Sequence, residues 1–144
     1  MNALLSTSRT ALAAMAVVGL MAGCASTINA SQAKVTLTGS EEVPPVTTNA
    51  SGEAKFTVDR DWTIQGKVTT TGIAGTAAHI HDAARGKNGG VIVPLAKTGD
   101  NEWSVPPGTR LNETQFNAYR AGTLYVNVHS AANPGGEIRG QLTP

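Results

Sequence analysis

The sequence has one cysteine, so no disulfide can close within the chain. Its three methionines stand at Met1, Met15 and Met21, and no thioether follows them. Beyond residue 24, therefore, a blue-copper centre, a cysteine zinc finger and a thioether copper(I) site are excluded. Charged residues make up only 15% of the chain, which argues against a coiled coil or a charged disordered tail. No block of lysine or arginine is present, and without a basic stripe we expect no nucleic-acid partner. There is no alternation of strand and helix patterns and, after residue 23, no long apolar run. Both absences argue against a parallel sheet. The 144 residues amount to one domain. A mature chain of about 120 residues buries about two-thirds of its unfolded surface, so it needs neither disulfide nor metal merely to fold.

The one apolar run that does occur reads as an address. Residues 1–23 carry a single charge, Arg9, followed by small and apolar residues up to Gly23. The run has the length of a secretory signal and is short for a membrane span. It ends Leu20-Met21-Ala22-Gly23-Cys24, which resembles a bacterial lipoprotein signal. On that resemblance Cys24 is lipidated and anchors the chain to a membrane, and residues 24–33 form the lipidated cysteine and a short tether. No Asp follows Cys24, which favours outer-membrane over inner-membrane placement, on the periplasmic side of the envelope. The competing reading is an ordinary signal peptide cut after Ala30 or Ala33.

From residue 34 to 144 the chain reads as short strands parted by turn clusters. Strands are expected at 34–38, 52–58, 62–70, 76–81, 91–95, 102–105, 123–129 and 137–142. Trp62, Ile64, Gly66 and Val68 are expected in register on one face. Residues 111–121 form the one helix candidate, with Asn112 and Gln115 spaced for a capping box and Gly122 as its stop. About eight strands and one short helix predict an all-β fold, an antiparallel Greek-key-like sandwich or barrel. The expected core is Val35, Leu37, Phe56, Val58, Ile64, Val68, Ile80, Val91, Val93, Leu124, Val126, Val128 and Ile138.

All three histidines fall in two segments, Ala77-Ala-His-Ile-His-Asp82 and Leu124-Tyr-Val-Asn-Val-His-Ser130. On a strand, His79 and His81 share a face about 6–7 Å apart, while Ile80 points to the other. In the second segment Leu124, Val126 and Val128 face the core, so Tyr125, Asn127 and His129 face away. The histidines thus lie opposite the apolar set, and if the two strands are neighbours they converge on one ion. Three imidazoles suit copper(II) first and zinc second. Asp82 and Glu137 are the nearest carboxylates in sequence. They read more simply as a turn cap and a surface charge than as a fourth ligand. Gly86-Lys-Asn-Gly-Gly90 lacks phosphate-loop spacing and a following helix, so it reads as a strand connection. Ser130 points away from His129, and no serine–histidine–aspartate set is apparent.

The same segments resemble the CHRD domain, named after chordin. The resemblance runs from Lys34 to Leu142. It is carried by Val35-Thr-Leu-Thr-Gly-Ser-Glu-Glu-Val-Pro-Pro45, Gly52-Glu-Ala54, Ala78-His-Ile-His81 and the Gly-rich sequel 86–90. The rest is Leu124-Tyr-Val-Asn-Val-His129 with Asn133-Pro-Gly-Gly-Glu-Ile-Arg-Gly-Gln-Leu142. Asp82 stands where the family usually has glycine. In chordin the domain belongs to an extracellular regulator that binds growth factors. The His-Ile-His strand is also similar to the copper-ligand strand of copper/zinc superoxide dismutases. That enzyme needs more histidines than this chain owns, so its activity is not carried over.

Three functions are compatible with the sequence. One is a metal-binding module with His79, His81 and His129 as ligands, for sequestration, delivery or sensing. Another is an interaction module with structural histidines and an envelope protein partner, offered on loops 39–51 and 82–90. The last is a metal-dependent redox or hydrolytic enzyme, for which no complete catalytic set is visible.

Overall fold

The computed structural model describes residues 31–144; Cys24 and the expected signal lie outside the described residues. In chain order the elements are β1 (Ser31–Thr38), a 3-10 turn (Gly39–Glu41), β2 (Ser51–Val58), β3 (Ile64–Thr71) and β4 (Gly75–Asp82). There follow β5 (Gly90–Pro94), β6 (Ala96–Gly99), β7 (Glu102–Ser104), α1 (Glu113–Arg120), β8 (Leu124–Ser130) and β9 (Ile138–Gln141). All pair antiparallel in one sheet of nine strands, ordered β5-β4-β8-β9-β1-β2-β3-β7-β6.

The two ends of that order, β5 and β6, are consecutive in the chain and parted only by Leu95. One stretch of backbone thus pairs with β4 through its first half and with β7 through its second. Leu95 N–H continues onto Ala78 carbonyl at 2.9 Å, so the sheet curls into a nearly closed barrel. The β3-to-β4 and β7-to-β8 connections skip neighbouring strands, as the Greek-key expectation required. The additional strand arises because the chain forms β6, a fully exposed four-residue element with no apolar alternation to announce it.

The barrel interior holds the alternating apolar set. Leu37, Phe56, Ile80, Leu124, Val126, Val128 and Ile138 are all fully buried. Val91 is a correction: it is 51% exposed, because the register shift between Ile80 and His81 turns it outward. Trp62 is another. It lies in the turn before β3 with a left-handed backbone (φ 70), and its ring stacks on Phe116 of α1 at 5.7 Å. The capping box forms as the spacing predicts. Asn112 Oδ1 accepts from Gln115 N–H and Gln115 Oε1 from Asn112 N–H, each at 2.9 Å.

What alternation does not reveal is a second buried layer. Every residue of β9 is buried, and in β8 only His129 keeps partial exposure. The outward faces of these strands carry Tyr125, Asn127, Arg139 and Gln141, all buried. Segments 39–46, 83–89 and 131–136 close over them. Asn88 Nδ2 donates to Val43 carbonyl at 2.8 Å, and Arg139 Nη1 donates to Asn88 Oδ1 at 3.3 Å. The 39–51 and 82–90 connections fold across the outer face of β8 and β9 and keep most of their own residues wholly or partly exposed.

Candidate metal centre

The strands carrying the histidines are direct neighbours. β4 pairs with β8 in the register Ala77↔His129, His79↔Asn127 and His81↔Tyr125. Cross-strand partners share a face, so all six side chains point away from the barrel interior. His79 and His129 lie diagonally. Their rings sit 4.8 Å apart, with Nδ1 of His79 3.0 Å from Nε2 of His129. The His81 ring lies 5.6 Å from His79 and 6.2 Å from His129. One potential ligand atom from each of the three falls within 4.8 Å of the others, close enough to hold one ion.

The 3.0 Å separation of the two ring nitrogens fits that role. Two imidazoles each about 2.0–2.1 Å from one metal, at ordinary ligand angles, hold their nitrogens about 3 Å apart. The partners behind the rings fit as well. His129 Nδ1–H donates to Pro134 carbonyl at 2.9 Å, and His81 Nδ1–H donates to Gly89 carbonyl at 3.0 Å. A ring nitrogen donating to a carbonyl sets the tautomer, so the lone pair of each ring lies on Nε2.

His81 is the most firmly held of the three. It is buried, and the Tyr125 ring stacks on it at 4.8 Å with 6° between planes. The Arg139 guanidinium covers the other side of Tyr125, 3.4 Å from the ring centre, a cation–π contact. Gly89 N–H donates to Tyr125 Oη at 3.1 Å, so one glycine fixes both rings. Gly89 has no substitute there, since a Cβ would run into the Asp82 carbonyl.

Burial is the main reason why His79 and His81 hold their imidazoles below the ordinary pKa. For His79 the charges of His129 and His81 act in the same direction. For His81 the bonds to Gly89 and Asn127 oppose part of the fall. Both rings are therefore biased to the neutral form that binds metal. Glu42, on the inner side of the 39–46 segment, has its carboxyl pushed up by burial, partly offset by the Arg139 charge and by hydrogen bonding from Asn127.

Asp82 and Glu137 stand apart from the imidazole group. Asp82 Oδ1 accepts from Thr123 Oγ1 at 3.1 Å. Glu137 accepts from Thr48 Oγ1 at 2.7 Å and from Ser130 Oγ, tying the start of β9 to the end of β8 and to the 42–50 loop. Ser130 is thereby turned away from His129. The 83–89 stretch is a plain strand connection whose Gly89 orients His81. Glu42 and Arg139 join the site without having been singled out from sequence. A lone Glu and a lone Arg carry no spacing signal, and only loop closure brings them in.

A nearly closed antiparallel barrel with three imidazoles converging between two adjacent strands defines the class of the protein as a β-barrel with a metal-competent histidine cluster. The chain belongs to the CHRD domain family, whose model matches residues 33–142. Comparison with curated proteins and with solved structures gave no match.

Proposed function

We propose that this protein binds a metal ion through His79, His81 and His129, copper(II) first and zinc second, and serves in sequestration, delivery or sensing of that ion. The observation that carries the reading is the pair of backbone acceptors behind the rings. Pro134 and Gly89 each take an Nδ1–H, and so leave His129 and His81 with Nε2 lone pairs. Copper(II) comes first because imidazole-only sites follow the general affinity order, in which it exceeds zinc. The lipoprotein-like run ending at Cys24 supports an exported, membrane-anchored location, on the periplasmic side and at the outer membrane.

The test is calorimetric titration of the purified protein with copper(II) and with zinc, beside a His79→Ala/His81→Ala/His129→Ala variant. One-to-one sub-micromolar binding that the variant lacks is expected. Absence of binding, or binding that the variant retains, overturns the reading and leaves the domain as an interaction module. Anchoring is tested separately by membrane fractionation of a Cys24→Ala variant, which should move to the soluble fraction.

A further inference from the structure

Resting on the metal reading above, we propose that Asn127 is a fourth donor of the centre, its carboxamide oxygen binding the ion beside Nε2 of His81. Its placement comes from the sheet. Asn127 is paired directly with His79, shares the face of the three imidazoles and is 2% exposed.

Its contact with His81 carries the argument. Nε2 of His81 lies 3.0 Å from Oδ1 of Asn127, while Nδ1 is committed to Gly89 carbonyl. In a neutral imidazole held this way, Nε2 presents a lone pair. The amide oxygen facing it is also an acceptor. Two acceptors at that distance are satisfied by a proton, which makes the ring an imidazolium, or by a metal ion shared between them. An ion about 2.0–2.2 Å from each satisfies both, because neighbouring donors on one metal are about 3 Å apart.

Reversal of the amide is opposed from behind. A Cβ on Gly136 would lie 2.5 Å from Glu42 Oε1 and 2.6 Å from Asn127 Nδ2, so both groups close on the same glycine. Glu42 is 5% exposed, and its Oε1 has no hydrogen-bond partner. An acceptor on that side attracts the amide N–H and repels the amide oxygen, which keeps Oδ1 toward His81. Three imidazoles and an amide oxygen make a neutral set with no sulfur. Such a set favours divalent copper and zinc over soft monovalent ions.

The experiment compares the purified protein with Asn127→Leu and Asn127→Asp. Affinities are measured for copper(II), zinc and silver(I), the last standing for a soft monovalent ion, together with the copper(II) paramagnetic resonance spectrum. Asn127→Leu should weaken copper(II) and zinc about tenfold or more and leave silver(I) within about twofold. Asn127→Asp should restore copper(II) binding and change its parallel g and hyperfine values, because a charged oxygen then sits on the metal. A folded Asn127→Leu protein with wild-type copper(II) affinity and spectrum overturns the inference. If that variant fails to fold, the Asn127→Asp spectrum decides, and unchanged parameters overturn it. A wild-type protein that binds no ion overturns the metal reading and this inference with it. Wild-type binding that is indifferent to Asn127 overturns this inference alone.

Discussion

His79 and His81 stand two residues apart, yet they answer to different neighbours. His79 is half-buried, and its Nδ1 lies against His129 Nε2. His81 is buried, its Nδ1–H fills the Gly89 carbonyl, and the Tyr125 ring stacks on it. Truncating His79 should change the stability of the metal-free protein by less than about 1 kcal/mol. Truncating His81 should cost about 2–4 kcal/mol, since it empties a buried space and orphans the Gly89 carbonyl. Urea unfolding of His79→Ala and His81→Ala would check the contrast. Gly136 is a second sensitive residue. Its φ of 130 and its closeness to Glu42 and Asn127 leave no room for a side chain. Gly136→Ala should lower stability by about 1–3 kcal/mol and weaken copper(II) binding, as read by thermal unfolding and titration. At this scale the histidines were legible because a period of two assigns them a face. Glu42 and Arg139 were not, because their burial depends on segments far away in the chain folding over them.

Between elements, the tie at the β8–β9 turn sets a pH dependence. Bonds from Ser130 and Thr48 hold the Glu137 carboxyl below its ordinary value, with Ser130 the larger influence. The folded state then binds its proton less readily than the unfolded chain does. The stabilisation is full above the unfolded value near 4.5 and is lost as the pH falls through the lower folded value. Glu137→Gln should therefore cost about 1–2 kcal/mol at pH 7. The gap to wild type should narrow below about pH 4, as followed by denaturant unfolding across pH. The helix cap at Asn112 was readable because it is local, four residues sufficing. Val91 and Trp62 were misread for the opposite reason. Alternation assumes an unbroken register, and a β-bulge beside His81 and a left-handed residue before β3 break it.

For the molecule as a whole, the barrel could be inferred from many short strands and no crossover helices. Its closure could not. Closure depends on one backbone stretch, residues 90–99, serving two neighbours in turn. The buried polar layer on the outer face has a global effect as well. Burial lowers the pKa of His79 and His81, so the unfolded chain takes up their protons first as pH falls. Stability of the metal-free protein should therefore decline from about pH 6.5 downward, the range of an unperturbed imidazole. In a His79→Ala/His81→Ala variant, melting temperatures between pH 8 and pH 5 should lose that part of the slope.

The pairing of β4 with β8 also bears on time. His79 and His129, whose ring nitrogens meet, are 50 positions apart in the chain. No short segment can assemble the cluster early. It exists only after a long loop has closed and a non-local strand pair has formed, the slow kind of event in β-rich chains. An ion that fits the finished cluster has little to grip in the transition state. It should leave the refolding rate almost unchanged and act almost wholly by slowing unfolding. In stopped-flow kinetics, copper or zinc would then lower the unfolding arm of the chevron and spare the refolding arm, so that the ion works as a latch on a completed barrel and not as a seed for it.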